Sequence, residues 1–506
     1  MGWLKRKLPQ KRWKRVLIYI ASTFLILLAL DMALVQYWRQ VTISHETTRI
    51  TSPLNKDGYP DYIAALDAKY SQGVTPQNNA ARHLVALLGK DDMPAAWAQR
   101  VLPKLGLGEP PAKPRAQNFH DWAKDNSPAD GVPDASEDGP NDSLETPWTR
   151  AAQPRWAAYL ADQREAIELA LAASSAEKFY VPLTSGSDTH SPGDMTKVLL
   201  PPLGRARLAA NLLCADAMLA VGEGDAARAL SDTLAVVRLG RLIASGPTLI
   251  EQLVGVAIEA RGLLTMRAVI ATGKMGAAQY EWLHSTLRAM PQGAHFVEAL
   301  DHAERYMMLD SLCWVAKDGP AMMQHLSNTA EPPTLAARAT NLLWPININA
   351  GLRYTNEAYD QLVAAARNED YHSGQKVLKN LEDSYGRQAH NPANIITRPH
   401  AMLMAILLPS MARVHELNEK LLVERDLTLV AITLALHRDT QGAYPDKPDL
   451  PRDRFAFNQE PLKYRREANG FVLYSVGPDG TDDGGTPRPS NRDGNKPYDV
   501  VVRVER

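Results

Sequence analysis

The C-terminal stretch Gly470–Arg506 reads GFVLYSVGPDGTDDGGTPRPSNRDGNKPYDVVVRVER, with an apolar run on each side of a loop rich in Gly and Asp. The two runs, within Gly470–Gly480 and Pro497–Val504, contain the β-branched and aromatic residues that favour strands. A third β-prone segment, Pro461–Glu467, precedes them, and Asn469-Gly470 is typical of a two-residue hairpin turn. The stretch therefore predicts a small antiparallel sheet.

A long helix precedes this sheet in the sequence. An apolar helical pattern covers Pro399 to Thr440 and is interrupted near Pro409. The helix should end at Gln441-Gly442, since glycine commonly follows a helix and Pro445 prevents its continuation. We expect the sheet to pack on the C-terminal half of this helix, so that residues 411–506 form a small α+β module.

Helical periodicity dominates residues 151–410, which we predict to be one helical domain. Leu212 and Leu219 share an apolar face, and Leu230 and Val237 share another beyond the turn Gly222–Asp225. This pattern predicts two antiparallel helices. They resemble half of a tetratricopeptide repeat, but no 34-residue period follows. The fold class expected is mainly α, an irregular helical-hairpin array, and residues 57–105 form a smaller helical segment before it.

Residues 106–150 are rich in Pro, Gly, Asp and Asn, which predicts a linker. Within it, residues 134–145 read DASEDGPNDSLE, with acidic and hydroxyl side chains at several spacings of an EF-hand calcium loop. The neighbouring prolines disfavour the helices that flank such a loop. A solvated acidic linker and a calcium loop are therefore both compatible with this segment.

The N-terminal segment predicts a membrane anchor. Residues 1–15 carry seven Lys or Arg and no acid, and the 23 residues 16–38 contain one charge, Asp31. A helix of that length rises about 34 Å, enough to cross a bilayer. The basic tail places the N-terminus in the cytoplasm and everything after residue 39 outside it. We therefore expect a single-pass protein of the inner (cytoplasmic) membrane, with the lipid bilayer as partner of residues 16–38. No small-x-small site follows the run, which disfavours a cleaved signal peptide.

Composition limits the possible functions. The chain is 45% hydrophobic and has a net charge of −1, so it has no global attraction to nucleic acid. Its two cysteines, Cys214 and Cys313, lie in apolar helical patterns, which favours buried thiols; a disulfide is the alternative.

The sequence contains no catalytic motif of the common hydrolase or nucleotide-binding types. His295, Glu298 and His302 share a predicted helix at a spacing that places three metal-ligating side chains near one face. A solvated charged face is the simpler interpretation. An envelope hydrolase that uses His295 and Glu298 is the alternative function.

The C-terminal order of elements resembles the major pseudopilin of type II secretion. The shared features are a helix that ends in D-x-x-G-x-Y-P, an S-x-G-x-D-G loop and a Y-D-V segment. They correspond to Asp439, Gly442, Tyr444, Pro445, Ser475, Gly477, Asp479, Gly480 and Tyr498–Val500. The end of the chain is also similar to uncharacterised membrane-anchored bacterial proteins with LYSVGPDG-like loops.

This resemblance implies a calcium ion in the C-terminal loop, with Asp479 and Asp499 as the matching ligands. It does not imply a filament subunit, because the chain lacks the pseudopilin leader, its Gly-Phe cleavage point and the glutamate that follows. We therefore expect a membrane-anchored extracytoplasmic binding or scaffold protein with envelope partners, whose C-terminal loop binds calcium.

Overall fold

The computed structural model describes residues 16–17, 19–23, 25–26, 37–126, 144–187, 189–291, 295–319, 347–389, 404, 411–487 and 498–504. The helices are α1 Tyr62–Tyr70, α2 Ala80–Val85, α3 Ala95–Lys104, α4 Phe119–Asp125, α5 Pro154–Asp162, α6 Arg164–Ser174, α7 Pro202–Gly222, α8 Ala226–Ala244, α9 Leu249–Ala271, α10 Ala277–Ala289, α11 His295–Ala299, α12 Arg305–Asp318, α13 Ile348–Ala366, α14 Tyr371–Ala389 and α15 Met411–Gln441. The strands are β1 Lys463–Arg466, β2 Phe471–Ser475 and β3 Val500–Val504. The expected class, mainly helical with a small antiparallel sheet, is confirmed.

The helix pair α7/α8 forms the hairpin that the sequence predicts. Helix α7 ends at Gly222, and the Asp225 side chain caps α8 by accepting a hydrogen bond of 3.0 Å from the amide of Arg228. Helix α9 then packs closely on α8. A Cβ on Gly240 would lie 2.5 Å from the amide nitrogen of Glu259, so only glycine permits this approach.

Helix α15 connects the three hydrophobic cores of the described chain. Its N-terminal residue Met411 lies in the core built around α12 and α13. Ile432 packs into the core of the helical hairpins. Leu427 and Leu434 belong to the core beneath the sheet, together with Phe471. One helix thus holds the C-terminal module against the helical domain.

The sheet has the order β1-β2-β3, and both pairs are antiparallel. Tyr464 pairs with Leu473, which in turn pairs with Val502. The β1–β2 hairpin is confirmed, but its turn lies one residue earlier than the sequence signal. Glu467 and Gly470 hydrogen-bond to each other across Ala468-Asn469. As predicted, α15 ends at Gln441, followed by Gly442 in a left-handed conformation with φ of 79°.

The predicted linker 106–150 contains a helix that its composition concealed. Helix α4 buries Trp122, whose indole nitrogen donates a hydrogen bond of 2.8 Å to Asp162. Phe119 stacks on Trp156 with ring centroids 4.4 Å apart. The Pro- and Asp-rich composition disfavours helices on average. The packing of Phe119 and Trp122 nevertheless stabilises this short helix.

Both cysteines are free and buried, Cys214 on α7 and Cys313 on α12, as the sequence predicts. Burial raises the pKa of Cys214 to about 11, so this thiol is unreactive at neutral pH.

Much of the N-terminal segment lies outside the described residues. Those described between 16 and 26 and from 37 to 39 are helical, while the basic tail 1–15 lies outside the described part. Among the described helices, none combines the length and the apolarity required to cross a bilayer.

Candidate functional site

Asp499, one of the two expected calcium ligands, organises the C-terminal loop. It lies just before β3 and is 1% exposed. Its carboxylate accepts hydrogen bonds from the backbone amides of Asp483, Gly485 and Thr486, at 3.3, 2.7 and 3.2 Å. Burial raises the pKa of Asp499, the three amides lower it, and the nearby Asp483 raises it further. Most of the acceptor capacity of this carboxylate is thus used by the loop itself.

Asp479, the second expected ligand, is exposed at the tip of the loop. Its Oδ1 accepts a hydrogen bond of 3.0 Å from the amide of Thr481, which is a local Asx turn. Two residues earlier, Gly477 has φ of 76°, and a Cβ there would lie 2.3 Å from the carbonyl oxygen of Tyr498. The glycine is therefore required for the backbone to approach the start of β3.

One carboxylate oxygen in the loop is available to bind a cation. Oδ2 of Asp483 is buried and has no hydrogen-bond partner in the described chain, and Asp483 lies beside Asp499. Carboxylate oxygens of this kind are calcium ligands. No group of three His, Cys, Asp or Glu able to hold a metal occurs among the described residues. Asp493, a further oxygen donor by sequence, lies outside them.

Asp453 is a central residue of the loop that the sequence did not indicate. It is 2% exposed and lies in the connection between α15 and β1. Its carboxylate accepts from the Ser475 hydroxyl at 2.7 Å, the Val476 amide at 2.9 Å and the Phe455 amide at 3.0 Å. Ser475 of the S-x-G-x-D-G motif thus serves to join β2 to this aspartate.

The helix that contains His302 departs from the α-helical geometry on which the alternative of a metal-binding face depends. Leu300–Glu304 is π-helical, so the α-helical spacing assumed between Glu298 and His302 is wrong. Nε2 of His302 lies 2.8 Å from Nζ of Lys69, and Glu298 is exposed. Burial and then the Lys69 charge lower the pKa of His302. The side chain of His295 lies outside the described part.

The EF-hand-like segment 134–145 lies outside the described residues except at its end. Glu145, at the twelfth position of the pattern, is described, and its carboxylate pairs with Arg261 at 2.8 Å.

A groove in the helical domain is a well-defined concave site among the described residues. It has a volume of about 580 Å³ and lies where the C-terminal ends of α6, α8 and α10 meet. The residues that define it are Ser174, Ser175, Arg238, Arg241, Ser245 and Met290.

Behind the groove lies a narrow cleft of about 20 Å³ between α8, α9 and α15. Arg241 lines both spaces, and the cleft is also lined by Gln252, Glu259 and Arg425. Nε of Arg241 donates to Glu259 at 2.7 Å. Arg425 is 4% exposed and donates through Nη2 to the carbonyl of Met290 at 2.7 Å.

Three buried polar atoms around this cleft have no hydrogen-bond partner in the described chain: Nη2 of Arg241, Nε of Arg425 and Oε1 of Gln252. Buried donors and acceptors are normally paired with protein groups or ordered water, so these three atoms leave room for water or another polar group. The sequence carries a weak signal for this cluster. Gln252 and Glu259 are two of the polar residues that interrupt the mostly apolar helix α9, and a buried polar site would be sought at such residues.

Comparisons of the chain with protein-family models, with curated proteins and with solved structures found no match.

Proposed function

We propose that the chain is a membrane-anchored, extracytoplasmic binding protein whose helical domain takes up a small ligand. The observation that carries this proposal is the groove of about 580 Å³, which shares Arg241 with a polar cleft lined by residues with unpaired donors. Ligand pockets commonly have volumes of about 300–1,000 Å³ and a few convergent polar groups. The alternative, an envelope hydrolase that uses His295 and Glu298, stays a prediction, because the side chain of His295 lies outside the described residues.

The proposed anchor is the apolar segment 16–38, and contacts just beyond it support a fixed attachment to the helical domain. Nε of Arg39 donates to the carbonyl of Ala316 at 3.2 Å, at the C-terminal end of α12. A cation there is favoured by the helix dipole. Tyr37 is 72% exposed and Trp38 is 41% exposed, as suits side chains at a membrane interface. The helical domain would then lie close to the extracytoplasmic surface of the inner membrane.

Topology can be tested by labelling introduced cysteines with a membrane-impermeant maleimide in intact spheroplasts. Ser187 is exposed and lies on the proposed outer side, and Gln10 lies in the basic tail. Ser187→Cys should be labelled and Gln10→Cys should be labelled only after lysis. Both native thiols are buried and provide a low background. Labelling of both variants, or of Gln10→Cys alone, in intact cells contradicts the proposed orientation.

Ligand binding can be tested with a pair of matched tryptophan variants. Ser175 is exposed at the mouth of the groove, and Ser231 is an exposed position of α8 that does not line it. The full chain is purified from native membranes, and bound small molecules are released by denaturation and identified by mass spectrometry. A compound should be enriched with the parent chain and with Ser231→Trp, and lost with Ser175→Trp. If Ser175→Trp retains every compound that the parent retains, the groove is not the binding site.

The C-terminal module completes the proposal. Its order of elements resembles the pseudopilin end, and we propose that calcium stiffens its loop through Asp479 and Asp499. The buried unpaired oxygen of Asp483 beside Asp499 supports this role. Association with secretion or other envelope proteins would involve the surface of the helical domain.

A further inference from the structure

We infer that the groove binds a small organic anion, a carboxylate or a phosphate ester, whose charged group is held by Arg238 and Arg241. This inference rests on the proposed binding function and adds the chemical class of the ligand. It follows from the balance of charge and hydrogen bonding around the groove.

The charges of the site are not balanced. Three arginines, Arg238, Arg241 and Arg425, face or lie behind the groove, and only two carboxylates, Glu177 and Glu259, accompany them. Arg238 is exposed and pairs with no carboxylate of the described chain. Burial and then the charge of Arg241 lower the pKa of Arg425, while Glu259 and Asp426 raise it. One positive charge is left for an anion to neutralise.

The hydrogen bonds of Arg241 leave a donor available. Its Nε serves Glu259, and its Nη1 donates to the carbonyl of Pro291 at the weak distance of 3.3 Å. Nη2 has no partner in the described chain. A guanidinium group presents its donors as a planar fork that matches two oxygens of a carboxylate or phosphate.

The helix ends at the groove oppose this attraction, but more weakly. The C-terminal ends of α6, α8 and α10 each carry about half a negative charge, and their effect falls off within one turn. A bidentate pair of charge-assisted hydrogen bonds acts at direct contact and is stronger than such helix-end effects. Serine hydroxyls also reduce the partial negative charge of these helix ends. Those of Ser175 and Ser245 donate hydrogen bonds to the carbonyl oxygens of Leu171 and Leu242. Direct contact with the arginines therefore determines that the groove prefers a negatively charged ligand.

The test uses four probes that share one ring and differ in charge: benzoate, phenyl phosphate, benzyl alcohol and benzylamine. Their dissociation constants for the full chain in detergent are measured by ligand-observed NMR titration. Benzoate or phenyl phosphate should bind at least about tenfold more tightly than benzyl alcohol and benzylamine. The two anionic arms distinguish a carboxylate site from a phosphate site.

Three variants assign the effect to the arginines. Arg238→Gln should weaken binding of the anionic probe about tenfold, and Arg353→Gln, an exposed arginine of α13, should leave it unchanged. The double variant Arg241→Met with Glu259→Met removes the ion pair as a unit and should abolish the preference for anions. It keeps the test valid if a single change at Arg241 prevents folding.

Several results would overturn the inference. Equal binding of benzyl alcohol, tighter binding of benzylamine, or an anion preference that survives the double variant would each do so. Stabilisation by inorganic phosphate or chloride equal to that by phenyl phosphate would mean that the site holds an inorganic ion only. Failure of the proposed function looks different: no probe of any charge binds, and Ser175→Trp changes no co-purified compound.

Discussion

Two buried aspartates of the C-terminal loop and two arginines at the helical groove differ in how completely they are hydrogen-bonded. In the loop, Asp453 and Asp499 each accept three hydrogen bonds, mostly from backbone amides. At the groove, Arg241 and Arg425 each retain a buried nitrogen without an acceptor in the described chain. Asp453 and Asp499 thus complete the fold, whereas the arginines leave hydrogen bonds for another molecule to make. Asp483 is an exception within the loop, since its Oδ2 is buried without a partner in the described chain.

This difference helps to distinguish buried charges with a structural role from those at a candidate ligand site. A fully hydrogen-bonded carboxylate offsets its cost of burial within the protein, so it indicates a structural role. A buried donor without a partner costs about 1–3 kcal/mol unless water or a ligand supplies the acceptor. The sequence points to the Asp-rich C-terminal loop as the binding site, but the hydrogen-bond geometry favours Arg241 and Arg425 as part of a ligand site.

The largest effect is expected at the ion pair behind the groove. Arg241→Ala leaves Glu259 buried without its cation and should lower the free energy of unfolding by about 3–5 kcal/mol. Burial already raises the pKa of Glu259, against the lowering effect of Arg241. Chemical denaturation followed by circular dichroism measures the change. The double change Arg241→Met with Glu259→Met should be close to neutral; a loss as large as that of Arg241→Ala would show that the pair itself stabilises the fold.

A smaller loss is expected when a loop carboxylate is removed. Asp499→Ala deprives three backbone amides of their acceptor and should cost about 3 kcal/mol of stability. Hydrogen exchange at the amides of Gly485 and Thr486 should accelerate, which locates the effect in the loop. Asp479→Ala is the matched control, since Asp479 is exposed and serves one amide. Equal losses for the two variants would contradict the structural role of Asp499.

Asp232, a carboxylate of α8 that is 2% exposed, tests the same contrast through pH. Burial, and then the neighbouring Asp216, raise the pKa of Asp232 in the folded chain. The folded state therefore keeps a proton that the unfolded chain releases. The free energy of unfolding should fall as the pH rises from about 4 towards neutrality, by at most about 1.4 kcal/mol per pH unit.

The measurement is the pH dependence of unfolding for Asp232→Asn beside the exposed control Asp439→Asn. Asp232→Asn should flatten the curve between pH 4 and neutrality, because the amide cannot lose a proton. An unchanged slope in Asp232→Asn would show that this carboxyl group does not hold a proton in the folded chain.

Calcium is expected to have the smallest effect. At a free concentration three times its dissociation constant, an ion that binds only the folded chain adds about 0.8 kcal/mol. Calcium should raise the melting temperature of the parent chain and leave Asp479→Asn and Asp499→Asn unaffected. If calcium leaves the parent melting temperature unchanged and calorimetry of the full chain shows no calcium heat, the ion proposal fails.

Local features of the fold were predictable. The turn Gly222–Asp225, the helix end at Gly442 and the β1–β2 hairpin were all assigned from neighbouring residues, and the structure confirms them. Each depends on backbone preferences and caps within a few residues. Helix α4 was missed because its Pro- and Asp-rich surroundings outweighed two aromatic residues.

The contacts of the sites were not predictable, since their partners are far apart in the chain. Ser475 meets Asp453 only because the connection after α15 folds back over β2. The π-helical segment Leu300–Glu304 has no clear signature in the sequence, and it changed the face on which His302 lies.

Local patterns of residues were enough to predict the helical class, the C-terminal sheet, the buried cysteines and the glycines that the C-terminal loop needs. Tertiary structure alone decided that α8, α9 and α15 bring Arg241, Glu259 and Arg425 together. The reason is physical: periodicity and capping act over one or two turns, whereas this meeting depends on how closely the glycines of α8 and α9 let two helices approach. It also depends on the path of α15 through all three cores.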